Sequence, residues 1–490
     1  MSAGHRRLAA LIGVLLALVA LGVGLLVGRS GGAAAADGPP ATATLKLVPA
    51  RALVAVHVAT DRGRDAAARA VQLTRRLPSW PRLQASILKR LDAPGCGIDM
   101  RRNPGHEAVF ALLPGRGGVS SPLLVTDAPA TGVGDAPQPC GALVVRRIAG
   151  LIVIGEPTGV LAAEALHEGR GTSLAASPVY RRAAAGLPDA RVADAWVSPQ
   201  GARRLLTPLG GALGTIGALL DTPGLQGVAA ALVPGADQAR VTVRRVTGKP
   251  GSAPPFKATL QRFAPADTLA YVASGDLASA LQRLLVLAGP TAGARLPRLL
   301  AQGGRPLTTL GDLGRESAVV IAPGETGPAL TLLSRMSDPA RARRAMTALE
   351  PALATLVGAP AGTAFADATP GGRPARTLAG AASTPLTWAI DGNTLIVATS
   401  PSGVAAAREH GTRLTDTPGY RAVDGNVPNP IRSLVFLDPK QLLQLSAQSG
   451  IGPGTALQGV RDDLDRIRAI GAYGAGTGDV STVELSFSIP

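Results

Sequence analysis

The chain contains an internal duplication, and this feature restricts its fold more than any other. The hexapeptide SPVYRR at 177–182 returns as TPGYRA at 417–422, which is 240 residues later. The segments that follow, VADAWVSPQGARRLL from Val192 and RSLVFLDPKQLLQL from Arg432, match at the same spacing. A period of this length exceeds that of stacked solenoid repeats. We therefore predict two homologous domains rather than a repeat array.

Further matches upstream of these peptides set the limits of the two copies. They come in the same order along the chain: GLIVIGEPTGVLAAEA from Gly150 with NTLIVATSPSGVAAARE from Asn393, EAVFALLPGRGG from Glu107 with ESAVVIAPGETG from Glu316, and LVPARALVAVHVA from Leu47 with FAPADTLAYVASG from Phe263. We predict a first repeat unit over 46–247 and a second over 262–490. Residues 248–261, which begin GKPGSAPP, form a Gly/Pro linker between them.

A small set of prolines and aromatic residues recurs at equivalent positions of both copies. These repeated structural positions are Pro49 and Pro265, Tyr180 and Tyr420, and Trp196 and Phe436. Aromatic residues make up only 3% of the chain, so a repeated aromatic side chain is either a ligand platform or a core anchor that fixes a helix against a sheet. We expect core anchors.

The apolar pattern of each unit predicts hairpins interspersed with helices. GALVVRRIAGLIVIGEP and its twin PLTWAIDGNTLIVATS alternate apolar and polar residues, and Asp391–Gly392 is a strong hairpin turn signal. Helices are predicted over 64–77, 277–287 and 337–358. The predicted fold class is α+β, in which a single N-terminal transmembrane helix precedes two tandem homologous units with largely antiparallel sheets and helices on one face.

The amino-terminal segment predicts where the protein resides. Residues 8–27 carry no charge, and a helix of that length spans about 30 Å, the thickness of the bilayer hydrocarbon. We predict a cytoplasmic tail at 1–7, a transmembrane anchor in the lipid bilayer at 8–28 and a flexible tether at 29–45, with the bulk of the chain outside the cell membrane. The alternative is a signal peptide that is cleaved near GGAAAADG, which would leave a secreted protein.

Both cysteines of the chain, Cys96 and Cys140, lie in the part predicted to be exported. An oxidising compartment permits them to form a disulfide. The alternative role is a thiol nucleophile or a metal ligand, but the sequence has no CxxC spacing.

The net charge of +16 indicates attraction to an anionic envelope component such as a phospholipid headgroup or a wall polymer. A GC-rich genome that favours arginine codons would produce the same excess. The arginines are scattered and are not interleaved with aromatic residues, so we predict no nucleic-acid partner.

Short matches to catalytic motifs lack their partner residues. Ser86-Ile-Leu-Lys89 fits the S-x-x-K pattern of penicillin-interacting serine enzymes, but the S-D-N and K-T-G motifs are absent. GAYGAGTGD at 471–479 is Gly-rich, yet a strand rather than a helix is expected after it, so we predict a hairpin loop and not a phosphate cradle.

The histidines do not form a recognisable metal or catalytic set either. His106–Glu107 and His167–Glu168 begin like the zinc motif H-E-x-x-H but lack the second histidine. We interpret Glu107 as a strand-end charge and His57 as a partly buried histidine satisfied by a hydrogen bond. No catalytic residue, metal ligand or cofactor site is predicted.

Several of these segments together resemble an uncharacterised family of exported, membrane-anchored, tandem-duplicated proteins from high-GC bacteria, defined by a domain of unknown function. They are the apolar amino-terminal span, PADTLAYV at 265–272, DGNTLIVATS, and LTDTPGY at 414–420. The first copy departs from this pattern at PARALVAV, where Arg51 replaces the aspartate. The resemblance implies an exported duplicated domain and supplies no catalytic residues.

The sequence therefore favours a membrane-anchored extracytoplasmic protein that binds, scaffolds or assembles envelope components and is not an enzyme. Two alternatives stay open. One is an envelope hydrolase or transferase with an unrecognised site, and the other is a carrier of a lipid or small ligand.

Overall fold

The computed structural model describes most of the exported part of the chain. The described residues are 38–82, 105–206, 224–248, 254–275, 306–448 and 461–490, apart from 62, 116–118, 131, 307, 325–326, 361, 379–384, 410, 425–426 and 477. The predicted anchor at 8–28 lies outside them.

The chain divides into two compact units. The first runs to Gly251 and also takes in Thr477–Glu484 and Ile489–Pro490, and the second runs from Ser252 to Gly476 and takes in Leu485–Ser488. The division between Gly251 and Ser252 falls inside the segment 248–261 that the sequence marks as a linker.

The first unit is built on an antiparallel sheet with the order β4-β5-β6-β3-β2-β1-β7-β8-β9. The strands are β1 (Val54–Ala59), β2 (Glu107–Pro114), β3 (Ser120–Thr126), β4 (Gln138–Cys140), β5 (Leu143–Ile148), β6 (Leu151–Gly155), β7 (Ala193–Val197), β8 (Leu225–Pro234) and β9 (Gln238–Thr247). The helices are a 3₁₀ helix at Thr44–Leu47, α1 (Asp65–Thr74), α2 (Pro157–His167), α3 (Pro178–Ala184), α4 (Pro199–Gly201) and a π-helical turn at Ala202–Leu206.

The second unit repeats this plan with the order β13-β14-β15-β16-β12-β11-β10-β17-β18. Its strands are β10 (Ala270–Ser274), β11 (Gly314–Gly324), β12 (Gly327–Met336), β13 (Ala366–Ala368), β14 (Ala375–Leu378), β15 (Leu386–Asp391), β16 (Thr394–Ala398), β17 (Ser433–Leu437) and β18 (Ala469–Ala475), and β19 (Val480–Ser488) follows β18. Its helices are α5 (Pro339–Leu356), α6 (Pro401–Arg408), α7 (Pro418–Asp424), α8 (Pro439–Gln448), α9 (Arg461–Leu464) and 3₁₀ helices at Leu260–Phe263, Pro370–Gly372 and Leu414–Asp416.

The two units share one strand order. In each, the first strand lies between the second strand and the strand that carries the repeated Trp196 or Phe436. The second unit adds the short strand β13 and the helix α5, whose first turn is capped by the side chain of Asp338. This added helix corresponds to the helix that the sequence predicts over 337–358.

The predicted α+β fold class is wrong for the described part of the chain. Among the described residues the architecture is mostly antiparallel sheet, with nineteen strands and few helices, of which only α5 is longer than eleven residues. The sequence pattern underestimates the length of the strands: the apolar segments AVVIA at 318–322 and LTLL at 330–333 are only the central parts of β11 and β12. Cross-strand pairing extends these strands into flanking Gly, Pro and polar residues whose own β-propensity is low.

No helix in the described part of the chain combines the length and the apolar character that crossing a membrane requires.

The two predicted hairpin turns are present. In the first unit, Ile148 pairs with Leu151 across Ala149 and Gly150, and both turn residues have positive φ, as a type I′ turn requires. In the second unit, Asp391 itself pairs with Thr394. The turn therefore lies at 392–393, one residue later than the predicted Asp391–Gly392.

Candidate functional site

The first unit encloses a group of charged side chains that we name the His57 cluster: His57, Glu107, Asp194 and Arg191. His57 lies in the middle of β1, Asp194 faces it directly on β7, and Glu107 is the first residue of β2. In the β1–β2 ladder His57 pairs with Val109, which places Glu107 two residues along on the same face of the sheet. Diagonal neighbours at this spacing are within reach of long side chains.

Both ring nitrogens of His57 bind a carboxylate. Nδ1 lies 3.0 Å from Oδ1 of Asp194, and Nε2 lies 3.2 Å from Oε2 of Glu107. The three side chains are sealed from solvent, with 1% of His57, 3% of Glu107 and 4% of Asp194 exposed. The histidine ring thus joins the two neighbours of the central strand.

Backbone and hydroxyl donors hold the outer side of Glu107. The Ala43 amide donates to Oε1 at 2.9 Å, and the Thr44 hydroxyl and amide donate to Oε2 at 2.7 and 3.3 Å. These donors lie at the start of the first 3₁₀ helix, so Glu107 ties that helix to the sheet.

Arg191 and Tyr180 complete the surroundings of Asp194. Arg191 Nε donates to Oδ1 at 3.0 Å, and the Tyr180 hydroxyl lies 3.5 Å from Oδ2. Arg191 is fixed in turn by the Pro188 carbonyl at 2.9 Å. The two carboxylates are therefore balanced by one guanidinium and one imidazolium.

Electrostatics keep the ring of His57 charged. Burial by itself would lower its pKa, but the charge and hydrogen bond of Asp194, and then those of Glu107, raise the pKa to about 9. Burial would raise the pKa of Asp194 and of Glu107, yet His57 and the other hydrogen-bond donors lower both. Burial and the nearby Asp194 raise the pKa of Tyr180 above its ordinary value.

A histidine between two carboxylates resembles an acid–base catalytic group, but this arrangement cannot act as one. A general base must reach the proton that it removes and must be unprotonated at the working pH. His57 meets neither condition, because its nitrogens are occupied, its ring is buried and its pKa lies well above neutrality. The cluster stabilises the fold and cannot contact a substrate.

Of the His57 cluster, the second unit retains only the glutamate. Ala273 and Leu434 stand where the first unit has His57 and Asp194, while Glu316 stands where it has Glu107. Glu316 repeats the attachment of the first 3₁₀ helix: the Thr259 amide and hydroxyl donate to it at 2.7 and 2.5 Å, and the Leu260 amide donates at 2.9 Å. The glutamate is thus common to both units, and the histidine is specific to the first.

The repeated aromatic residues lie in the cores, away from solvent. Tyr180 and Trp196 stack edge to face with ring centroids 5.7 Å apart, and Tyr420 and Phe436 stack at 5.6 Å. All four are buried, as expected of core anchors and not of a ligand platform.

The repeated prolines occupy equivalent bridges. Pro49 forms an isolated β-bridge with Ser173, and Pro265 forms one with Arg413. The partners, like the prolines, occupy matching positions of the two copies.

The remaining residues singled out by the sequence are not brought together. Cys140 is buried and disulfide-bonded, while Cys96 and the segment Ser86–Lys89 lie outside the described residues, so the predicted pairing stays a prediction. His106 is 73% exposed and bonds Asp127 at 2.9 Å. His167 is exposed on the last turn of α2.

Sequence reasoning missed the cluster because it weighed each residue alone. Glu107 was interpreted as a strand-end charge, yet it is buried and multiply bonded. His57 was expected to have one hydrogen bond and has two. The signal was available: three otherwise apolar strands each carry one ionisable residue, and residues of that kind are almost never buried unless paired.

Comparison with protein-family models, with curated proteins and with solved structures found no match to this chain. The resemblance drawn from 265–272 and 414–420 therefore stays a prediction.

Proposed function

We propose that this protein is an exported, membrane-anchored module of the cell envelope that binds or scaffolds and has no catalytic activity of its own. The observation that carries the proposal is the enclosure of the His57 cluster. Among the described residues, the group that most resembles an acid–base catalyst is His57 with Glu107 and Asp194, and its hydrogen bonds join strands β2, β1 and β7.

The cluster supports a structural role in a second way. In catalytic sites, perturbed pKa values occur at groups that face a cleft. In the His57 cluster every group with a perturbed pKa faces another protein group, and the charges of His57, Glu107, Asp194 and Arg191 balance. Ion-pair networks of this kind also perturb pKa values in purely structural settings.

The membrane location rests on the amino-terminal sequence. Twenty uncharged residues at 8–27 suit a bilayer span, and the basic residues before them favour an inside amino terminus. The charge of +16 would hold the displayed units close to anionic envelope polymers or headgroups.

The apolar cleft of the second unit is too small to support the alternative role of a lipid carrier. That cleft, between Phe263 and Ala407, has a volume of about 120 Å³. Ligand pockets usually have volumes of ~300–1,000 Å³, so a lipid chain does not fit this cleft.

Location is tested on intact spheroplasts that express the full chain with a carboxy-terminal epitope. We expect external protease to remove the epitope while a cytosolic marker survives, and we expect the undigested protein to stay in the membrane pellet after alkali extraction. An epitope protected until detergent is added would contradict the proposal.

The alternative of an envelope hydrolase with a serine nucleophile is tested separately with a fluorophosphonate probe, which labels activated serines. We expect no labelling of the full chain above that of heat-denatured protein. Labelling that requires the folded chain would favour the alternative of an envelope hydrolase.

A further inference from the structure

The second unit contains a cavity of about 490 Å³. It is open to solvent and is lined by residues of α5, β13, β14, β15 and the last turn of α6, so its walls include both of the elements that only the second unit has. Its volume is within the ~300–1,000 Å³ of small-molecule sites.

Four arginines and two aspartates line this cavity: Arg343, Arg373, Arg376, Arg408, Asp367 and Asp391. Two of the arginines are neutralised within the protein. Arg376 binds Glu350 through two parallel bonds of 3.0 and 3.1 Å and Asp367 at 2.9 Å. Arg373 binds Asp391 at 2.9 Å.

Arg408 has no such partner. It is 7% exposed, and it forms no ion pair with a described carboxylate; the charge of Asp391, which Arg373 already binds, acts on it from a longer distance. Its terminal nitrogens donate to the carbonyls of Pro370, Arg373 and Pro374 at 3.3, 3.1 and 2.8 Å, and its Nε, also buried, has no hydrogen-bond partner. An ion removed from water without a counterion costs several kcal/mol, so this guanidinium calls for an anion.

Arg343 adds a second uncompensated charge. It is exposed on α5, one turn into the helix, and it forms no ion pair with a described carboxylate. Arg343 and Arg408 are thus the two arginines of the cavity without an ion-pair partner, and the four arginines with Glu350, Asp367 and Asp391 carry a net charge of +1.

The first unit has a neutralised ion pair at the position equivalent to Arg408. By the matched peptides PTGVLAAEA and PSGVAAARE, Glu164 corresponds to Arg408. Glu164 forms an ion pair with Arg146 at 2.6 Å. The second unit has thus replaced a neutralised pair by an unneutralised cation and has built a cavity beside it.

We propose that this cavity binds a phosphate monoester group carried by a small organic molecule or a lipid headgroup. A phosphate monoester is anionic at neutral pH and offers charged oxygens to the two arginines that have no ion-pair partner, Arg343 and Arg408. Guanidinium forks bind phosphate oxygens in a bidentate manner. The proposal names the ligand of the binding role proposed above and rests on it, but it does not depend on the membrane location.

The test is calorimetric titration of the full chain in a nonionic detergent with glycerol 3-phosphate, and with succinate as a dicarboxylate of similar size. The key variant is Arg343→Gln, whose side chain is exposed and unpaired, so that folding is preserved. The matched control is Arg344→Gln, which removes the same charge from the next, exposed position of α5, outside the cavity lining.

We expect glycerol 3-phosphate to bind and Arg343→Gln to weaken it about tenfold, the effect of losing one charge-assisted hydrogen bond. Arg344→Gln should leave the affinity unchanged. Equal weakening by both variants would mean attraction to bulk charge and would overturn the proposal, as would succinate binding as tightly as the phosphate ester.

The same titration with detergent micelles containing phosphatidic acid separates the two sources of the group. Binding of the lipid alone, lost in Arg343→Gln, supports a headgroup as ligand, and binding of glycerol 3-phosphate supports a soluble ester. Binding of neither probe overturns the ligand assignment, whereas the protease and fluorophosphonate experiments decide the proposed function independently.

Discussion

Raising the pH should destabilise the first unit through one side chain, His57. Its folded pKa of about 9 lies above the ordinary value of 6.5. A group whose pKa rises on folding stabilises the fold fully below its unfolded pKa, and that contribution is lost as the pH rises through the folded pKa. The window for His57 is therefore pH 6.5 to 9.

The size of the effect follows from the same two values. At 1.36 kcal/mol per pKa unit, the difference between 6.5 and about 9 corresponds to about 3 kcal/mol of unfolding free energy. The lowered pKa values of Asp194 and Glu107 act in the opposite direction, since their contribution is lost only in acid. We expect the first unit to be most stable between these limits, below pH 6.5.

The assay is urea unfolding of the full chain in detergent, followed by fluorescence of Trp196. This indole packs against Tyr180 beside the cluster, and replacing Trp80 and Trp388 by Phe makes it the sole reporter. The unfolding free energy of this background should fall by about 3 kcal/mol between pH 6.5 and 9. The variant His57→Ala should be less stable and should lack this slope, because the titrating ring is gone.

The control is His106→Ala, which removes a histidine that is 73% exposed and should leave the slope intact. Parallel pH profiles for the parent protein and His57→Ala would refute the reasoning. A proton NMR titration that gave His57 a pKa near 6.5 would refute it as well.

Three further outcomes are expected. Asp194→Leu added to His57→Ala should restore about 2 kcal/mol of the ~3–5 kcal/mol lost in His57→Ala alone, because removing one ion of a buried pair costs more than removing both; urea unfolding measures the recovery. Gly227→Ala should destabilise the first unit by ~1–3 kcal/mol, since its new methyl carbon would lie 1.9 Å from the Trp196 ring; the unfolding midpoint reports it. Leu16→Arg should lower the fraction of chain in the alkali-resistant membrane pellet, because a central arginine costs ~2.5–3.5 kcal/mol on insertion.

Each of these three substitutions has a comparison or a control variant. The double replacement reproduces the apolar residues Ala273 and Leu434 that the second unit already accommodates, and a double variant no more stable than the single one would contradict the pairing. Gly311→Ala adds a methyl carbon where nothing lies within 4 Å, and a loss equal to that of Gly227→Ala would exclude the steric cause. Leu16→Val should partition as the parent chain does.

Much of the fold could be predicted because the duplication presents the same strand and turn pattern in two different sequences, which can be compared. The matched peptides that contain Trp196 and Phe436 showed which strands correspond, and the hairpin turns at 149–150 and 392–393 were located to within one residue. The lengths of the strands could not be predicted, because hydrogen bonding to neighbouring strands extends them beyond their central apolar residues.

The charged sites were harder to predict, because they depend on register. His57 and Asp194 are 137 residues apart in sequence and meet only because β1 pairs with β7 in one particular alignment. Arg408 is unremarkable in the sequence, and its lack of a counterion becomes visible only when the carbonyls around it are placed. Composition reports the excess of arginine but not which arginines are unpaired.

The attachment of the first 3₁₀ helix has a mechanical consequence. A pull on the chain from its amino-terminal side acts on Ala43 and Thr44, whose amides, with the Thr44 hydroxyl, donate to the carboxylate of Glu107. That carboxylate is braced by His57, so the load passes through the ring into the centre of the sheet. The force needed to peel the entry segment away should therefore fall in alkali, when the ring loses its proton.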